Sequence, residues 1–221
     1  MDRGRIKYYI LAFLIRIPLV AFFAHDWDIY VFTMTAKMFL TEGILPYDPT
    51  IKDRLIAYIP YFPSQFNWYA YPPLPLLIFS LGYLIYMLFA YFGLRGFFYE
   101  RLFVGLAISA GDILLAFFSY RLGQELYGDT IAAKIEKAIL FNPFIIFVSS
   151  FWGMIDCWSA AFLMASIYYM FKGEYNKSAI FYALSILAKQ LSLLLAPVIL
   201  VYVFKKKELR DVFRYIVLTA G

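Results

Sequence analysis

The chain has 221 residues, of which 63% are hydrophobic, 22% aromatic and only 16% charged, with a formal net charge of +5. This excludes a soluble globule with an ordinary polar face and points to an integral membrane protein. Nor is the positive charge a nucleic-acid footprint: the lysines and arginines are scattered beside apolar runs rather than striped over a soluble domain, so no nucleic-acid partner is expected.

Arg3, Arg5 and Lys7 precede an apolar run from Tyr8 to Ala24 that contains Arg16. Asp26, Trp27 and Asp28 stand where a signal peptide would carry its small-residue cleavage site, so the segment reads as a signal-anchor helix with a cytoplasmic N-terminus. The acidic cluster His25-Asp26-Trp27-Asp28-Ile29-Tyr30 follows at once, and in a resumed helix Asp26 and Tyr30 share a face. A carboxylate there is either a solvated helix-end acid or a general base toward a hydroxyl, its pKa tuned by the neighbouring low-dielectric surface. His25 is a metal ligand, an acid-base partner of these acids, or incidental.

Residues 28–42 read as a short interfacial helix closed by Gly43. They belong to a large first loop, residues 25–98, rich in proline. Tyr58, Tyr61, Phe62, Phe66, Trp68, Tyr69 and Tyr71 crowd its middle as an interfacial belt or as a platform for lipid or sugar. No charge falls between Arg54 and Arg95, and residues 73–92 either cross the membrane or lie within this loop as an interfacial or re-entrant helix.

Further apolar runs cover Leu102–Tyr120, Ala138–Ile155, Cys157–Phe171 and Ser178–Phe204. They are continuous rather than alternating, which predicts helices and excludes a barrel. Asp112 and Arg16 inside such runs are functional candidates or a mutual pair. Trp152-Gly153-Met154-Ile155-Asp156 sets an aromatic at an interface beside a tight turn, and Asp156 is a loop acid or a ligand for a divalent ion or a sugar hydroxyl. Lys189 with Gln190 interrupts the last run, suited to a lipid phosphate or to snorkelling. One cysteine and one histidine exclude a disulfide framework and a His-rich zinc site, so a metal would rest on oxygen ligands. The final apolar stretch, Tyr215 to Gly221, is too short to cross, and the chain is expected to be part of a longer one.

Positive-inside bias selects between two topologies. If residues 73–92 cross and 178–204 form one helix, the basic residues divide almost evenly between the two sides. If residues 73–92 stay in the outer loop and 178–204 dip across and back around Lys189, most fall on the cytoplasmic side and Lys189 avoids a burial cost of roughly 2.5 to 3.5 kcal/mol. The second arrangement gives Asp26, Asp28, Asp156 and Lys189 a common outer face. Its weakness is length, since each half of residues 178–204 is short for a crossing.

Taken together, Asp26-Trp27-Asp28-Ile29-Tyr30, Gly43-Ile44-Leu45-Pro46-Tyr47-Asp48-Pro49, Tyr71-Pro72-Pro73-Leu74, Asn142-Pro143, Trp152-Gly153-Met154-Ile155-Asp156 and Lys189 through Pro197 resemble the GT-C class of integral membrane glycosyltransferases over most of residues 6–214. The resemblance implies an all-α, polytopic helical bundle, a single transmembrane domain over residues 1–221 with interfacial helices in its first extracytoplasmic loop, in the cell membrane. It also implies transfer of a hexose, mannose first, from a polyprenyl-phosphate carrier of the dolichol type to a hydroxyl on a glycan, lipid or protein acceptor.

Asp26 inherits the first catalytic acid, with Asp28 as its alternate, and Asp156 the second. Lys189 would meet the carrier phosphate. Tyr30, Trp152 and Gln190 join it as substrate-binding residues, and Asp26 with Asp156 are candidate ligands for Mg or Mn. Met154 stands where the family often has glutamine. The competing reading is a transporter or lipid flippase whose path is lined by Asp112, Arg16 and Lys189.

Overall fold

The computed structural model describes residues 3–48, 69–206 and 209–220. Among them the chain is all-helical, with no strand. Two helices, Pro73–Tyr91 and Phe97–Tyr127, are long and apolar enough to cross a membrane, and the pair Gly4–Phe22 and Trp27–Glu42, bent by 95°, makes a third if taken as one span. This is the composition and length signature of a membrane protein.

Helix α1 (Arg3–Phe22) is followed by a sharp turn into α2 (Asp26–Glu42). As the sequence predicts, Gly43 ends α2: it adopts the left-handed conformation at φ 70° and its N–H reaches the Met38 carbonyl. Helix α3 (Pro73–Tyr91) opens on proline, whose missing N–H costs nothing in a first turn. The 31-residue α4 (Phe97–Tyr127) is the central element and packs against α1, α2, α3 and the helices that follow.

Three ties fix α1 antiparallel to α4. The Arg5 guanidinium lies 3.3 Å above the Tyr120 ring. Further along, Arg16 Nε donates to Asp112 Oδ2 at 2.7 Å, both side chains wholly buried. At the far end Arg101 donates to the Ala21 and Phe23 carbonyls at 3.1 and 2.5 Å, supplying a cation to the C-terminus of α1. The start of α4 therefore lies level with the end of α1. Helix α3 has the length of a crossing, and its Phe79 stacks on Phe32 of α2 at 4.3 Å and its Phe89 on Phe103 of α4 at 4.8 Å. Gly82 lets α3 approach closely, since a Cβ there would stand 2.7 Å from the Phe103 carbonyl.

The apolar run 138–155 is not one helix. Helix α5 (Asp129–Leu140) stops before Asn142, whose side chain caps a new start by accepting from the Phe144 and Ile145 N–H groups. Pro143 opens the short α6 (Pro143–Ile146), which continues as a π-helical segment, Phe147–Trp152, closed by Gly153 at φ 91°. Helices α7 (Asp156–Phe171) and α8 (Tyr175–Ala188) form a tight hairpin. The run 178–204 breaks at Lys189, which is extended, and resumes as a 3-10 turn, Gln190–Leu195, and α9 (Ala196–Lys206), followed by α10 (Leu209–Ala220).

Small polar residues join these last elements. Ser159, Ser185 and Ser192 hydrogen-bond one another, as Ser166 and Tyr215 each do with Ser178. At the end opposite Asp28, basic residues gather: Arg5 on Glu136, Lys137 over Tyr8, Arg121 on Tyr168 and Lys172 on Glu125.

Arg16 and Asp112, the wholly buried charges, pair with each other through Asp112 Oδ2, while Asp112 Oδ1 is buried without a hydrogen-bond partner. Arg16 also donates to the Ala12 and Leu140 carbonyls, and Asp112 accepts from Ser149 at 2.5 Å. Removing one partner leaves an uncompensated buried charge. Arg16→Met is expected to destabilise the protein by about 3 to 5 kcal/mol, and Arg16→Met with Asp112→Leu to recover most of that loss, read as unfolding free energies in mixed micelles.

Candidate functional site

The chain leaving α1 is clipped to the end of the π-helical segment by two backbone hydrogen bonds. Ala24 N–H donates to the Phe151 carbonyl at 2.8 Å and His25 N–H to the Trp152 carbonyl at 2.9 Å. The clip requires Ala24 to adopt φ 74°, in the left-handed region that a side chain disfavours. It joins the two acidic clusters that the sequence separates by more than a hundred residues.

Asp28, one turn into α2, is held by both sides of the clip. Its Oδ2 lies 2.9 Å from His25 Nδ1 and accepts from Trp152 Nε1 at 3.2 Å. Asp156 occupies the first turn of α7, where the helix dipole favours a carboxylate, and pairs with the Lys189 ammonium. Lys189 reaches it because α8 stops at Ala188. Between the acids sits Tyr71, whose hydroxyl donates to the Met154 sulfur at 3.7 Å. Burial first, then the charges of Asp28 and Asp156, push the Tyr71 phenol up to about 12, so it remains a protonated hydrogen-bond donor at physiological pH.

Two open grooves flank this cluster. One, of about 440 Å³, is lined by Leu163, Leu191, Leu194 and Leu195 with Ser159 and Ser192, and carries Asp156 and Lys189. The other, of about 510 Å³, is lined by Phe22, Phe23, Phe147, Phe151 and Trp152 with His25 at its polar edge.

Of the residues expected from the sequence, Asp28, Trp152, Asp156 and Lys189 come together here. Asp26 opens α2, but its side chain is outside the described residues, as are Tyr58, Tyr61, Phe62, Phe66 and Trp68. Tyr30 points elsewhere, its ring 5.6 Å from Phe97 at the start of α4. Gln190 is exposed at the first position of the 3-10 turn. The sequence offers Tyr71 as one of the loop aromatics and His25 as a partner of the adjacent acids; the structure makes Tyr71 a donor between the two acids and gives His25 to Asp28 at i, i+3 spacing.

Among the described residues no group of three or more His, Cys, Asp or Glu side chains is arranged to hold a metal ion. Asp156 is taken up by Lys189 and Asp28 by nitrogen partners. Asp26, the other candidate ligand for Mg or Mn, has its side chain outside the described residues. Compared with known protein families, curated proteins and solved structures, the chain matches none.

The strain of the clip is measurable. Ala24→Gly is expected to stabilise the protein by about 1 kcal/mol, and Gly153→Ala, at φ 91°, to destabilise it by about 1 to 2 kcal/mol without steric conflict. Unfolding midpoints of the two variants in detergent check both signs.

Proposed function

We propose that the protein is a polytopic membrane glycosyltransferase of the GT-C kind, which moves a hexose from a polyprenyl-phosphate carrier to an acceptor hydroxyl at the extracytoplasmic face. The observation that carries this reading is the meeting of Asp28, Tyr71, Asp156 and Lys189 at the mouth of a leucine-lined groove. An apolar groove ending in an ammonium suits a phosphate on a long hydrocarbon chain, and carboxylates beside it suit a reacting hydroxyl.

Sidedness follows from charge. The end opposite the acids gathers the paired basic residues and is taken as cytoplasmic, so the chain begins in the cytoplasm. Residues 23–96 then form the outer loop, with α2 and α3 as its interfacial helices, and the broken α8 and α9 dip across and back around Lys189.

In the reaction proposed, the acceptor oxygen attacks the anomeric carbon while the bond from that carbon to the phosphate oxygen breaks, its electron pair leaving with the carrier phosphate. Lys189, shared between Asp156 and the phosphate, offsets the developing charge, and Tyr71 offers a neutral hydroxyl as donor. The carboxylate at the start of α2 receives or directs the acceptor proton. Mannose remains the first sugar to test. Against the transporter reading, Arg16 and Asp112 pair with each other and with backbone and serine partners.

Two experiments test this. In proteoliposomes supplied with a radiolabelled polyprenyl-phosphate hexose, Lys189→Gln is expected to lower transfer about 10- to 100-fold, chiefly through donor KM, and Asp28→Asn to lower kcat by about 10²-fold or more. Wild-type rates in both variants would remove the site. In a Cys157→Ser background, Gln190→Cys should react with an impermeant maleimide from outside sealed right-side-out vesicles and Lys134→Cys only after opening; the reverse pattern inverts the topology.

A further inference from the structure

A reaction confined to the leucine groove leaves the aromatic one unexplained. Phe23 and Phe147 both stack on Phe151, at 4.6 and 5.1 Å, and line a cavity of about 510 Å³. Ile10, Leu14, Pro18 and Phe22 on α1 are exposed at i, i+4 spacing, so an apolar stripe runs along the helix into this cavity. The stripe ends at His25, whose side chain is 52% exposed.

The chemistry of that end is specific. A carboxylate on His25 Nδ1 holds the proton there and leaves Nε2 as an acceptor. Asp28 is itself held by the Trp152 indole N–H, so the imidazole has a fixed partner. Neither lysine nor arginine lines the groove, unlike the one that contains Lys189. Arg101 is held outside the lining, its Nη2 donating to the Ala21 and Phe23 carbonyls. A phosphate headgroup finds no cation here, whereas a neutral hydroxyl finds an acceptor.

We propose that the aromatic groove binds a second lipid, an uncharged one bearing a hydroxyl, which is hydrogen-bonded to His25 Nε2. That this lipid is the sugar acceptor rests on the transferase reading, whereas its binding does not. In the transfer step the hydroxyl oxygen bonds to the anomeric carbon and the carrier phosphate departs with the electron pair. The hydroxyl proton passes to His25 Nε2, and the resulting imidazolium is stabilised by Asp28 before it returns its proton to water. Asp28 is then a positioning residue and His25 the base.

The probe is a long-chain alcohol with a diazirine midway along its chain, photolysed in proteoliposomes of the whole protein, with adducts mapped by mass spectrometry. Adducts are expected on Phe22, Phe147 and Phe151. The alcohol should label about fivefold more than its methyl ether, a preference that His25→Ala abolishes. Equal labelling by alcohol and ether in the wild type makes the groove an ordinary lipid-facing surface and overturns the proposal. In the transfer assay with this alcohol as acceptor, His25→Ala should lose about 10²-fold or more, with partial rescue by added imidazole. An unchanged rate removes His25 as the base. If the alcohol labels selectively but no sugar moves, the lipid site stands and the transferase reading falls.

Discussion

The ion pair between Arg16 and Asp112 is the constraint on which the rest of the arrangement depends. At 1.5 Å per residue, Arg16 lies about 16 Å along α1 from Arg5, and its side chain is wholly buried. A guanidinium there has no water to turn to, so α1 can sit against α4 only in the register that brings Asp112 to it. The same guanidinium takes the Leu140 carbonyl at the C-terminus of α5, and Asp112 takes Ser149 of the π-helical segment. One buried pair thereby fixes the relative depth of four elements. That depth brings the end of α1 level with Phe151 and Trp152, where the backbone clip forms and the acids meet.

The site lies where regular helix gives way. Within a few residues the chain turns through the left-handed Ala24, ends a π-helical segment at Gly153 and leaves a helix at the extended Lys189. Each break frees backbone N–H and C=O groups, which are costly near a membrane unless satisfied. The clip satisfies four of them, two N–H and two C=O, between segments, and Arg101 takes the carbonyls of Ala21 and Phe23. The irregular backbone is therefore held by its own pairing, which lets side chains from distant segments converge.

Much of this was legible in the sequence, and for physical reasons. Helicity followed from continuous apolar runs, the end of α2 from Gly43, and the break at Lys189 from the cost of an ammonium in an apolar helix. The mutual pairing of Arg16 and Asp112 was one of two readings open to buried charges. Length and hydropathy make α3 a candidate crossing, whereas the charge asymmetry favoured keeping residues 73–92 in the outer loop. Tyr71 was legible as a loop aromatic and His25 as a partner of the adjacent acids, but not the place of Tyr71 between Asp28 and Asp156 or of Trp152 on Asp28, because those neighbours come from other elements. The split of residues 138–155 was written in Asn142-Pro143, a cap followed by a residue suited to a first turn, but the unbroken hydrophobicity of the run masked it.

The two acids that converge are held in different ways, and this bears on what each can do in the proposed reaction. Asp28, with its side chain 18% exposed, is fixed by an imidazole and an indole N–H, which restrain both its position and its partner's tautomer. Asp156, 37% exposed, is paired with a single flexible ammonium at a helix end, a partner that can be shared. An anion entering the leucine groove competes with Asp156 for Lys189 without disturbing the clip, whereas any shift of Asp28 disturbs His25 and Trp152 together. A rigid acid beside an exchangeable one separates proton handling from the binding of a charged leaving group. A transferase needs that separation if it is to release its spent carrier without dismantling the base that serves the next acceptor.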